Sequence, residues 1–177
     1  FRDGEVAQRI AARVSAEESL ALYRELDDKH GIATALRTLS NASHNQGNIR
    51  QAQMAAAQGV FLFRQLGDRA CLGLALSALA RDIYGQGDVG RADEIVQEAV
   101  KVLHDVGEIS AEIGALDVAG RVALAQGDMF KGQEYFRDGI SHLKDAKEVS
   151  QLPSLLEGLA NVLARSSQTQ VAILLLG

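Results

Sequence analysis

The sequence predicts an all-α solenoid, a stack of antiparallel helix pairs with a repeat of 40 residues. Three observations carry this reading. A short polar step recurs at Gln46-Gly47-Asn48, Gln86-Gly87-Asp88 and Gln126-Gly127-Asp128, with its glycines 40 residues apart. On both sides of each step, apolar residues fall three or four apart, and alternation at period two is nowhere sustained. The composition agrees. The 177 residues include one Pro, no Trp and 5% aromatics, and they are rich in Ala, Leu, Val, Gln and Glu, which favours helix over sheet.

The same period governs the apolar positions. Leu36, Leu76, Leu116 and Leu156 form one row, and Leu39, Leu79, Ala119 and Leu159 a second. Two rows are always small: Ser40, Ala80, Gly120 and Ala160, then Ala52, Ala92, Gly132 and Ala172. Small residues let the two helices of a pair approach closely, while the leucines fill the space between units. One pair cannot bury its apolar stripe alone, so stacking makes the core continuous.

Taken in order, residues of about 5–26 make a long first helix that matches the second half of a unit. Three helix pairs follow over 29–66, 69–106 and 109–146. A fourth pair begins near Ser150, with Pro153 in a first turn that has no N–H partner to lose. In that last unit Ser166-Ser167-Gln168 replaces the Gln-Gly-Asp step, and its second helix is short. The count is about nine helices in a single domain over 1–177. Each glycine ends a helix at positive φ, and the Asn or Asp after it caps the next one. The joints Leu66-Gly67-Asp68 and Val106-Gly107-Glu108 reuse the device, and Asp27-Asp28 stands in at the first joint.

Charge and motif content point to recognition, not catalysis. Net charge is −5 with both signs interspersed and no basic block, so no nucleic-acid surface or anionic-membrane partner is expected. Cys71 is the sole cysteine, which leaves no internal disulfide and no metal cluster. At the start of a helix its thiol could be acidified, but no histidine lies near it in that helix. His30, His44, His104 and His142 have no second ligand at metal spacing. No nucleophile–base pair, phosphate loop or zinc motif is present, so no enzyme activity, cofactor or metal is expected. No stretch of 18 apolar residues suggests a membrane span. The chain opens on Phe1 and ends in the apolar run Val171–Leu176, and it reads as a fragment of a larger protein of the cytoplasm. The apolar run calls for a cover, either further sequence or a second copy of the chain in a homodimer.

Leu-(two residues)-small, then Gln-Gly-Asp, then Ala four residues on, resembles the tetratricopeptide repeat (TPR). The longer period is similar to that of repeats in bacterial LuxR-type and predicted-ATPase regulators. Val60-Phe61-Leu62-Phe63-Arg64-Gln65-Leu66-Gly67-Asp68-Arg69 and Leu74-Ala75-Leu76-Ser77-Ala78-Leu79-Ala80 carry that likeness over nearly the whole chain. The Gly-Lys-Ser/Thr loop and helix-turn-helix of such parents are absent from this sequence. The resemblance implies a right-handed superhelix whose first helices line a concave face. It implies a protein–protein interaction module in bacterial signalling or transcription regulation, binding a protein or peptide segment or another domain of the parent chain. An effector-sensing domain holding a small molecule or peptide is the other reading. The implied concave positions include Arg37, Asn41, Ser77, Arg81, Tyr84, Asp117, Arg121 and Asn161. Asn41, Arg81, Arg121 and Asn161 form one row of donors suited to a peptide backbone or a carboxylate. Alternatively, Arg81 and Arg121 are solvated or pair with Asp82, Asp117 or Glu157 inside the stack.

Overall fold

The computed structural model describes residues 2–146 and 150–176, with side chains described over 7–143 and 150–167. The elements are α1 (Arg2–Glu25), α2 (Lys29–Asn45), α3 (Ile49–Leu66), α4 (Arg69–Gly85), α5 (Val89–Val106), α6 (Ile109–Ala125), α7 (Met129–Ala146) and α8 (Leu152–Leu176). No strand occurs among the described residues.

The turns work by local chemistry. Gly47, Gly87 and Gly127 sit at φ 77, 89 and 85°, a conformation that costs glycine nothing. Beyond Gly47 and Gly127 the chain reaches back into the helix it has left: Asn48 N–H donates to the Ser43 carbonyl at 2.9 Å, and Asp128 N–H to that of Ala123 at 3.0 Å. These bonds satisfy carbonyls that a helix end would leave open. The same polar residues then cap the next helix. Asp68 accepts from Cys71 N–H at 3.0 Å, Asp88 from Arg91 N–H at 3.2 Å and Asp128 from Lys131 N–H at 2.9 Å. At the first joint Asp27 itself takes the left-handed conformation, with φ 52°, and Asp28 caps α2 through Gly31 N–H. Glu108 departs from expectation: it makes no side-chain cap.

Pairs α2/α3, α4/α5 and α6/α7 stack in sequence, with α1 and α8 at the two ends. Successive first helices (α2, α4, α6, α8) also approach one another, whereas the second helices (α1, α3, α5, α7) stay apart. The side where neighbours converge is the concave one, so the first helices line it. Ala80 and Ala92 are fully buried at the α4/α5 crossing. At the α6/α7 crossing a Cβ on Gly132 would stand 3.2 Å from the Gly120 carbonyl oxygen. The Phe136 ring fills the space above Gly120 and Gly158, tying α6, α7 and α8 into one cluster with Ile113 and Leu155.

The helix count corrects the sequence reading. Among the described residues there are eight, not nine, because α8 runs unbroken through Ser166-Ser167-Gln168 to Leu176. The reason is the missing glycine. Serine has no easy access to positive φ, so no local device stops the helix there. As no second helix folds back on α8, Leu156 is 50% exposed while Leu36, Leu76 and Leu116 in the same row are buried. The side chains of Val171–Leu176, expected to need a cover, lie outside those described.

Candidate functional site

The eight residues expected on the concave face are carried by α2 (Arg37, Asn41), α4 (Ser77, Arg81, Tyr84), α6 (Asp117, Arg121) and α8 (Asn161). Asn41 and Asn161 are exposed, and the other six are half-buried. They do not act as one uniform ladder, because the two arginines of the central row have different surroundings.

Arg121 is engaged by the stack through Nε and Nη2. Its Nε donates to Asp117 at 3.2 Å, and its Nη2 donates to the Ser154 hydroxyl at 3.1 Å and to Glu157 at 3.2 Å. Ser154 in turn donates to Asp117 at 2.8 Å. Burial works against the Arg121 charge, but Asp117 and Glu157 together outweigh it and hold the guanidinium above its ordinary range. The pairing alternative therefore describes Arg121.

Arg81 is not saturated. Its Nε lies 3.6 Å from Asp82 Oδ1, an ion contact too long for a hydrogen bond. Nε and Nη2 are buried without a hydrogen-bond partner, although the side chain as a whole is 36% exposed. The repeat explains the difference. One unit on, Ser154 supplies the hydroxyl that Arg121 uses, and Gly114 holds the corresponding place for Arg81. Asp117, which corresponds to Glu157, is already taken by Arg121 and Ser154. On α2 the Arg37 Nε is likewise buried and unpartnered.

Beneath Arg81 lies Asp82, fully buried, whose Oδ1 stands 2.6 Å from His44 Nδ1 of α2. Burial pushes this carboxyl above the usual aspartate range, against the pull of Arg81 and His44. The acid interrupts the apolar run Leu79-Ala80…Ile83, which was the signal in the sequence. Each other histidine also faces a carboxylate. His30 lies 3.2 Å from Asp68, while His104 and His142 approach Glu112 at 3.0 and 3.9 Å. Among the described residues no three His, Cys, Asp or Glu side chains are grouped as metal ligands would be. Burial pushes the Cys71 thiol up and Asp68 adds to the effect, which is the reverse of an acidified nucleophile. Nor is any described helix long and apolar enough to cross a membrane.

No protein-family model matches the chain, and no curated protein matches it. Solved structures do. BtubC (BKLC) from P. vanneervenii superposes with a TM-score of 0.72 at 16% identity, over 89% of this chain. The chain spans 66% of the length of BtubC. A putative kinesin light chain from Podosopora anserina with nearly identical TPR-like repeats gives 0.71 at 20% identity, over 99% of this chain and 87% of that one. A point variant of that same protein gives 0.72 at the same identity, over 99% of this chain and 86% of that one. Identities this low establish the architecture alone: the chain has the fold of a TPR-like α-solenoid.

Proposed function

We propose that this chain is an interaction module whose concave face holds an acidic segment of a partner protein, or of another domain of its own parent chain, at Arg81. One observation carries the reading: Arg81, on a side chain 36% exposed, keeps two buried N–H groups without a hydrogen-bond partner, where its counterpart Arg121 donates to Asp117, Ser154 and Glu157. Leaving buried donors unpaired is costly, and a carboxylate offers both acceptors to an arginine fork at once. Arg37, Ser77, Tyr84 and Asn41 lie on the adjoining turns of α2 and α4 and extend the face on which such a segment would lie. The resemblance of the repeats to those of bacterial LuxR-type regulators supports a cytoplasmic signalling or transcriptional parent. Asn161 of α8 extends the same row, while the apolar run Val171–Leu176 would be covered by further sequence or by a second copy of the chain.

A photo-crosslinking amino acid at Ser77 tests this in the complete parent protein. Crosslinks should map to one acidic segment, and Arg81→Lys, which keeps the charge but loses the fork, should reduce their yield. Unchanged yield in Arg81→Lys would remove Arg81 from the interface. Crosslinks scattered over basic or apolar segments would remove the acidic partner.

A further inference from the structure

The outer groove between α1 and α3 differs from its counterparts further along the stack. On its outward face α3 carries Met54, Gln58 and Phe61, where α5 has Glu94, Glu98 and Lys101 and α7 has Glu134, Asp138 and Ser141. Across the second groove, Arg64 of α3 donates to Glu98 of α5 at 2.6 Å. The same rung of the first groove pairs Arg24 with Gln58, and Arg24 makes no ion pair among the described residues. The register itself is intact, since Gln51 meets Glu17 at 3.1 Å two turns earlier. Deeper in, Ala55 occupies the place that Ile95 and Tyr135 fill in the next two units.

This groove thus lacks the ion pair that bridges the α3/α5 groove and the side chain that fills the next two units. Two cavities of about 320 and 410 Å³ open there, meeting at Leu36, Arg24 and Gln58. Met54 borders one and Phe61 the other, at 59% and 61% exposure, while Arg50 also lines the first. Volumes of this size with mostly apolar walls and a few placed polar groups are those of small-molecule sites.

We propose that this outer groove binds an amphipathic monocarboxylate, a medium-chain acyl group with its headgroup on Arg24. The walls favour hydrocarbon, and the charged side chains that line the groove, Arg24 and Arg50, are both cationic on a chain whose net charge is −5. From Gln58, on the rung of Arg24, back to Gln51 the α3 axis runs about 10 Å, the scale of an extended medium-chain acyl group. The site is separate from the concave face and does not depend on the partner proposed for it.

Calorimetric titration of the full chain with decanoate, and with decanol as the uncharged control, tests the proposal. Decanoate should saturate one site, and Arg24→Gln should weaken it about tenfold. The pair Ala55→Ile and Gln58→Glu should abolish binding with helicity unchanged, since both residues are those of α5 at the same places. Met54→Glu, at an exposed position, should weaken binding without touching the core. Absence of saturable decanoate binding would overturn the proposal. So would equal affinity in the filled variant or in Met54→Glu, or decanol binding as tightly as decanoate.

Discussion

His44 Nδ1 of α2 lies 2.6 Å from Asp82 Oδ1 of α4, joining two first helices across the concave face through a carboxylate with no exposure to solvent. Because burial raises its pKa, Asp82 holds its proton more tightly in the folded state than in the unfolded one. Its contribution to stability is therefore greatest in acid and declines as pH rises from the ordinary value of 3.8 to the raised one. Asp82→Asn lacks that titration. Relative to the parent it should be at its best above the raised value and lose ground as pH falls. Urea-unfolding series of the two proteins across that range measure the gap, and a gap moving in the variant's favour towards acid would contradict the assignment.

The two ways of starting a first helix should separate cleanly. Asp68→Ala removes a cap and should cost about 1 kcal/mol. Glu108→Ala removes none and should be close to neutral, whereas Glu108→Asp should recover part of a cap. The hydrogen bond from Cys71 N–H is the main reason that the Asp68 carboxyl is held low. Its charge-dependent stabilisation is present above the unfolded value and lost as pH falls through the folded one, so the Asp68→Ala deficit should shrink in acid. Denaturant midpoints at neutral and acid pH report both effects.

Phe136 makes two glycines obligatory at once. A Cβ on Gly120 would stand 2.6 Å from the ring, and one on Gly158 closer still. Gly120→Ala should cost on the order of 1–3 kcal/mol by overpacking. Because the clash is with a side chain, Phe136→Leu should relieve part of it, giving a non-additive cycle in thermal unfolding. Strict additivity would mean that the backbone, and not the ring, sets the limit. By the same packing argument Ala80→Leu at the α4/α5 crossing should cost on the order of 1–3 kcal/mol.

The two central arginines should dissociate stability from binding. Arg121→Ala leaves Asp117 without its guanidinium partner and should cost about 1–3 kcal/mol in a chemical melt. Arg81→Lys keeps the charge beside Asp82 and breaks no hydrogen bond, so its melt should match the parent while partner crosslinking falls.

Much of this architecture was legible because helix stops are local. A glycine at positive φ followed by an Asx cap needs only three residues to specify, so its recurrence can be read by eye. The last unit shows the limit of reading by period. Repetition called for a hairpin near Ser167, but residue chemistry decided against one. Ser167→Gly with Gln168→Asp should restore the stop, and faster amide exchange at the new break would report it. The donor row was legible only as a row. Whether an arginine in it is free depends on residues on the next first helix: Ser154 serves Arg121, and Gly114 offers Arg81 nothing. The Asp82–His44 contact spans 38 positions, beyond the reach of any single-helix pattern.

The close approach of first helices and the separation of second helices give the stack a spine on one side only. Curvature is then a soft variable. Spreading or drawing together α1 and α3 costs little backbone contact, yet it rocks α2, the helix between them. Leu36 of α2 lines both outer cavities, and its neighbour Arg37 belongs to the face proposed to hold the partner. An occupant wedged outside and a segment held inside would therefore act on one lever from opposite ends. By linkage, whatever each does to the tilt of α2 must appear in the affinity of the other by the same factor.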